Sequence, residues 1–539
     1  MKNFLKPIMK PVAPLLFVLA STIGCSDFFD INTDPNNPLD SRLSLVLPVA
    51  ETVVFEALGN GSGGMSDITS QFVHQTVQRA NTNFYLVSGN EFSLANAWPN
   101  LYAGAIRDMD VIINKATERE SWIYLGIAQT LKAYTYSAMV DLWGKAAYFD
   151  YGKGTENPFP NFDEGEVIYP ELIKLLKDAT VNLAKTSLER PGADDLIFGG
   201  DANKWTRLAN SLQLKLYNQV RLTPLYNAAA VAALINADVL INELAGGFKL
   251  KYGTGNNPEN RHPLFKQDYV DNNSNYIDPY FYLIMIGDGR FNPILSGISD
   301  PRVPYYFYNQ LGATEAAQNP TTTAKFGSFL SIWFASLNID PNEGFDQGNS
   351  QTVVGQYPCG GAFDTGSGAN AGVTAGRNAG LGGAGFQRVY PFFSHLYTRA
   401  ELALTMGAAG DHRVLFRSAM EESFNEVNEL APVDITTTSR DSYVNAVLVL
   451  YDAASATGKL ELILTQKWIA SFGFSIDSYT DYRRTGFPIM FNPATDNNPV
   501  TILSRAYPVS IPYDISDLQI NPNAPPQRNP GTDKVFWDK

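Results

Sequence analysis

Cysteine and histidine are nearly missing from this chain of 539 residues, which holds two of the first and four of the second. Two thiols cannot build a disulfide-rich scaffold or a multi-thiolate metal centre. His74, His262, His395 and His412 stand far apart and no H-E-x-x-H occurs, so no metal-ligand or zinc-protease motif is present and no cofactor is called for. Basic charge is also scarce: 40 Lys and Arg face 54 Asp and Glu, a net charge of −14. Neutralising a phosphate backbone needs a basic surface, so nucleic acid is not the expected partner. No Walker A and no G-x-S-x-G pattern is found. What is plentiful is apolar material, 45% of residues with 12% aromatic, enough for a large core and too much for a disordered chain. At roughly 100–200 residues per domain the length allows three units or one large one.

The N-terminus has the layout of an export signal. Lys2, Lys6 and Lys10 precede an apolar stretch, Pro14 to Gly24, that is too short to span a bilayer. It stops at Thr22-Ile23-Gly24-Cys25, which resembles a bacterial lipobox. Residues 1–24 are then a lipoprotein signal peptide and Cys25 the site of lipid attachment, where several acyl chains (palmitate among them) anchor far more firmly than one. Ordinary signal cleavage beside a chance cysteine is the alternative. The second thiol, Cys359, sits between Pro358 and Gly360-Gly361 with no histidine nearby, the setting of an inert thiol.

Residues 26–48 read as an extended arm rich in Asp, Asn and Pro, and helical periodicity begins near Trp98. Leu101, Ala105, Met109, Ile112 and Ile113 recur at helical spacing over 100–116. Ser121 offers an N-cap to a run through Trp143, with Gly144 as a stop. Amphipathic segments follow at 169–185, from an Asp201 cap, and at 227–244, then at 396–408, 412–430, 440–454 and 459–472. Sequence-adjacent helices of ordinary length predict a mainly α fold, an array of helix pairs. Trp122-x-x-Leu125-Gly126 matches the opening of a tetratricopeptide signature, but no turn residue breaks 122–143, so one continuous helix is expected there.

Residues 246–395 differ from both flanks, being rich in Gly, Asn, Pro and aromatics with weak periodicity; 355–386 alone hold eleven glycines. Loops of such length in a compact domain are commonly functional. Gly380-Leu381-Gly382-Gly383-Ala384-Gly385 satisfies G-x-G-x-x-G, yet no strand pattern precedes it, so glycine content rather than dinucleotide binding accounts for the match. Asp30-x-Asn32-x-Asp34 starts like a calcium loop but has Pro35 and Ser41 at the places of the required Gly and Glu. Aromatic residues cluster in the insert: Tyr276, Tyr280, Phe281 and Tyr282, then Tyr305 to Tyr308, then Phe329, Trp333 and Phe334. Such rings stack on sugar faces or on side chains. Tyr276, Tyr280, Tyr305, Tyr306 and Trp333 are the expected ligand-binding residues, with Phe84 and Tyr85 next in line; packing in a second small core is the competing use of the same rings.

Several stretches together resemble the SusD/RagB family of nutrient-binding outer-membrane lipoproteins, in its second SusD-like branch. They are Asp30–Pro38, Trp98–Ala116, Leu125–Gly144, Lys204–Leu216, Asp300–Val303 and Thr465–Pro488. The resemblance implies a tetratricopeptide-like helix-pair array over about 96–245 and 396–474, a long irregular loop-rich ligand-binding insert over about 246–395 and a C-terminal segment 475–539, all in one domain from 25 to 539. It implies a non-catalytic subunit, lipid-anchored in the outer membrane and facing the exterior. Such a subunit delivers oligosaccharides, or in some members oligopeptides, to a SusC-like TonB-dependent transporter. A surface glycoside hydrolase is the enzymatic alternative, and no catalytic residues are assigned.

Overall fold

The computed structural model describes residues 41–538 except 62, 79–84, 86–96, 272–274, 318–322, 336–349, 367–378 and 491–505. The signal segment, Cys25, the Asp30–Pro38 stretch and Phe84 lie outside the described residues.

Helices dominate, and the strands pair only two at a time among the described residues. The centre of the N-terminal half is the helix Trp122–Trp143, unbroken as its sequence predicts and buried at every position except Trp122 and Lys132. It is enclosed because Arg107–Glu118, Gly165–Leu183 and Ala202–Gln219 all pack on it. Gly126 lets one neighbour approach closely: a Cβ there would lie 2.5 Å from Leu183 Cγ. In the C-terminal half Phe392–Met406 packs on His412–Asn428 and Ala456–Ala470, and it also touches Ala202–Gln219, which joins the two arrays.

Local chemistry sets most helix starts. Asp201 accepts from Asn203 N and Lys204 N, Asp411 from Arg413 N and Val414 N, Thr436 from Ser439 N and Ser455 from Gly458 N. Each such cap contributes on the order of 1 kcal/mol. Ser121 occupies the N-cap position but its hydroxyl makes no capping bond.

Two sequence expectations need correction. The extended arm ends earlier than residue 48, because Leu43–Leu58 is a helix in spite of Pro48. Burial of Leu43, Leu47, Ala50, Val54 and Leu58 along one face outweighs the missing N–H. The segment 227–244 is helical only over Ala228–Asn236, where a single residue, Val231, is buried. Beyond 472 the C-terminal segment opens with a further helix, Ile476–Thr485.

The glycine-rich insert is stitched to the helices at several points. Its entry strand Phe248–Lys251 pairs antiparallel with its exit strand Phe386–Tyr390, with a bulge between Arg388 and Tyr390. Asn275–Ile277 pairs with Thr76–Gln78, outside the insert. Buried ions lock the helices behind it. Glu401 accepts from Arg484 Nη2 at 3.0 Å and Asn218 Nδ2 at 2.8 Å, and pairs with Arg221 at 2.9 Å. Arg484 also holds Asp481 at 2.7 Å, which Lys467 pairs at 2.7 Å. Asp300 and Arg302 form a second buried pair, with Arg302 Nη1 donating to Ser423 Oγ at 3.0 Å.

Candidate functional site

The aromatic residues of the insert divide between core and surface. Tyr276 is fully buried on its short strand. Tyr306 is fully buried too, stacked on Tyr357 at 5.3 Å and on Phe472 at 5.4 Å. Tyr305 packs on Phe363 at 4.8 Å and its hydroxyl donates to Val433 O at 2.6 Å. Tyr280 is buried against Trp468 and donates its hydroxyl to Ile489 O. Protein already covers the faces of these four tyrosines, as the competing core reading of the same residues requires. Tyr85 is likewise buried, with its ring 4.8 Å from Phe334 and its hydroxyl 2.6 Å from His74 Nε2.

Trp333 is the expected ring that stays half-buried. It follows a hairpin in which Thr323–Phe326 pairs with Phe329–Ile332, turning through Gly327 at φ +60. Side chains alternate across such a ladder, so Phe326, Phe329 and Trp333 share one face. Phe329 stacks on Tyr282 at 3.9 Å and roots the hairpin on the helix Pro279–Met285. Phe326 and Trp333 remain half-buried, 5.9 Å apart and nearly perpendicular. On the other side Phe291 meets Trp333 edge-on at 6.0 Å and reaches Tyr280 at 6.1 Å. The face thus brings Trp333 and Tyr280 together through Phe291, while Tyr276, Tyr305 and Tyr306 lie elsewhere.

Arg290 completes this surface. Its guanidinium stands 5.0 Å from the Phe326 ring centre and is held by Asp288, with Nε donating at 3.0 Å and Nη2 at 2.8 Å. That ion pair holds the Asp288 carboxyl below the usual carboxylate range, through the hydrogen bonds from Arg290. A half-buried indole flanked by two nearly perpendicular phenyl rings, with the exposed Arg290 guanidinium and the half-buried Asp288 carboxylate beside it, offers stacking and hydrogen bonds to one ligand. Phe291, Phe326 and Arg290 were absent from the sequence expectation. A period-two reading of 323–333 around its Gly-Ser turn finds Phe326; nothing local marks Phe291 or Arg290.

Other chemistry-bearing residues have structural surroundings. Burial and the nearby Arg388 hold the His262 imidazole down at about 3, and burial with Arg399 does the same for His395. Cys359 is buried, bonded to Gly355 O at 3.2 Å, and burial pushes its thiol up. The G-x-G-x-x-G run packs on the insert's own backbone: Leu381 N donates to Gly360 O, and a Cβ on Gly380 would lie 1.6 Å from Gly361 O. No cluster of three or more His, Cys, Asp or Glu able to hold a metal occurs among the described residues.

Comparison with known proteins gives two family matches. Residues 44–330 match the SusD-like model described as "starch-binding associating with outer membrane", and residues 399–527 the model of the SusD and RagB outer membrane lipoproteins. Among solved structures, a chitin-binding protein is 17% identical, with a TM-score of 0.68 over 92% of this chain and 100% of that one. A SusD homolog from Bacteroides fragilis is 15% identical, with a TM-score of 0.63 over 92% and 99% of the two chains. A chitin-binding SusD homolog from Flavobacterium johnsoniae is 16% identical, with a TM-score of 0.63 over 93% and 99%. At these identities the likeness carries the fold. No curated protein sequence matches the chain.

Proposed function

Because the chain belongs to the SusD/RagB family, whose members are nutrient-binding proteins of the outer membrane, we propose that it binds oligosaccharides at the cell surface and delivers them to a SusC-like TonB-dependent transporter. In this reading Cys25 carries the lipid anchor and the body acts without catalysis. No helix among the described residues is long and apolar enough to cross a membrane, which is compatible with such an anchor. The observation that carries the reading is the half-buried Trp333, braced between Phe291 and Phe326 beside Arg290. An indole braced by two neighbouring rings keeps its orientation without a ligand, so stacking a sugar ring costs little ordering entropy. Neutral glycans are favoured over charged ones because Arg290 is already paired with Asp288.

The test is depletion of the purified soluble body by a panel of neutral polysaccharides, acidic polysaccharides and peptide mixtures, with released sugar measured in parallel. The expected result is retention by a neutral glycan that remains intact. Retention by peptides alone, or release of shorter sugars, contradicts the proposal.

A further inference from the structure

His74 is fully buried and lies outside the insert, yet its contacts lead to the Trp333 face. It sits between the helix Met65–Phe72 and the strand Thr76–Gln78, with φ at +53. Both chain neighbours are pinned to one residue: Trp468 Nε1 donates to Val73 O at 3.0 Å, and Gln75 Nε2 donates to Trp468 O at 2.8 Å. The two ring nitrogens reach two further segments. Nδ1 is 2.9 Å from Asp278 Oδ2, and Nε2 is 2.6 Å from the Tyr85 hydroxyl.

Asp278 extends the first of these bonds towards the face. Its Oδ1 accepts from Tyr280 N at 2.8 Å and so caps the helix Pro279–Met285. From that helix Tyr282 stacks on Phe329 of the hairpin, and Tyr280 meets Phe291, one of the rings that brace Trp333. A second route is shorter. The imidazole stands 4.5 Å from the Phe334 ring and nearly perpendicular to it, and Tyr85 packs on the same ring at 4.8 Å. Phe334 is the buried chain neighbour of Trp333, and Ala335 after it has φ at +53. Residues other than glycine keep a positive φ only where their surroundings enforce it, and such positions gather at ligand sites. Among the described residues four do so, and two of them, His74 and Ala335, flank this one ring contact.

We propose that His74 is a positioning residue for the ligand face, which holds Phe334 from the interior and so sets where the Trp333 indole stands. The role rests on the glycan reading above; the geometry does not. A plain aromatic ring would fill the space against Phe334, but the imidazole adds polar atoms on two sides and bridges Asp278 and Tyr85 as well. The indole is thereby tied to the N-terminal helices and to Trp468, not to the loop-rich insert alone. A contact residue supported by a locked second layer keeps its place without a ligand, and stacking then needs no rearrangement.

The test is fluorine NMR of the purified soluble body labelled with fluorotryptophan. The chain has seven tryptophans, and Trp333→Phe assigns the resonance in question. His74→Asn keeps a donor for Asp278 and a residue type that tolerates positive φ, while it takes the ring from Phe334 and the bond from Tyr85. Tyr85→Phe removes the second bond alone. Glu401→Gln, in the ion network of the helices, is the control for general loosening. The expected result is a Trp333 resonance that shifts or broadens in His74→Asn, does so less in Tyr85→Phe, and stays in place in Glu401→Gln. Affinity for the neutral oligosaccharide retained by wild type should fall in His74→Asn, by no more than the roughly 2- to 12-fold expected for loss of the indole itself. A Trp333 resonance at its wild-type place in His74→Asn, or moved as far by Glu401→Gln, overturns the proposal. So does wild-type affinity in a His74→Asn protein whose Trp333 resonance has moved. Where His74→Asn fails to fold, Tyr85→Phe decides by the same criteria. The spectra are recorded without glycan, so they judge the placing of Trp333 by themselves, whereas a wild type that retains no glycan overturns the glycan reading.

Discussion

Tyr306 separates ring packing from ligand stacking most sharply. Its side chain is fully buried between Tyr357 and Phe472, and its hydroxyl has no hydrogen-bond partner, burial pushing that hydroxyl up to about 12. Removing the ring deletes two stacked contacts and leaves a cavity in a crowded interior. Large aromatic-to-alanine changes of this kind cost about 3–5 kcal/mol. Removing only the oxygen acts in the opposite direction. A buried, unpaired hydroxyl costs about 1–3 kcal/mol, so Tyr306→Phe should be neutral or stabilising by about 1 kcal/mol. Urea unfolding of the two variants measures both numbers against the wild type at one pH. Tyr306→Ala should show a large fall in midpoint, and Tyr306→Phe a midpoint at or above wild type with unchanged ligand affinity. A Tyr306→Ala protein as stable as wild type, with weakened glycan binding, would refute the assignment of this ring to the core.

Other consequences follow from the same structure. Glu401→Gln removes the anion that pairs Arg484 and Arg221 while leaving both guanidinium groups buried, so it should lower stability by about 3–5 kcal/mol in chemical unfolding. Cys25→Ala should move the protein from the outer-membrane fraction to the soluble one, even after a high-salt wash; equal retention of mutant and wild type counts against a lipid anchor. Cys359 should resist thiol reagents in the native protein and react once per chain in denaturant, because it is buried and its thiol is held protonated. Rapid native labelling would show an exposure that the fold does not have.

The helical frame was legible in the sequence because apolar spacing and cap chemistry agree there. Asp201, Asp411, Thr436 and Ser455 each cap a helix whose stripe is visible in one dimension. The helix Leu43–Leu58 was hidden by Pro48, and Ile476–Thr485 by its polar side chains. Those polar residues are themselves buried, since Asp477, Asp481, Arg483 and Arg484 find partners on distant elements. Pairings of that range leave no periodic trace. Two of the six stretches that carry the family resemblance hold such internal ion pairs: Asp300 with Arg302, and Asp481 with Lys467 and Arg484. They specify the frame rather than the ligand. For the candidate site, sequence singled out Trp333 and the aromatic character of the insert. It could not separate the half-buried Trp333 from the buried Tyr276, Tyr280, Tyr305 and Tyr306. Composition is alike around all five, and only packing on Phe472, Phe363 and Trp468 distinguishes them.

Calorimetric titration of the neutral oligosaccharide retained by wild type into Trp333→Ala puts glycan binding at the Trp333 face to the test. A ring stacked on a sugar contributes on the order of 0.5–1.5 kcal/mol beyond its area burial, so affinity should fall about 2- to 12-fold. The melting temperature should change little, because Trp333 lies at the surface of its cluster. Wild-type affinity in Trp333→Ala, with the fold intact, would contradict the account and place the glycan elsewhere on the molecule.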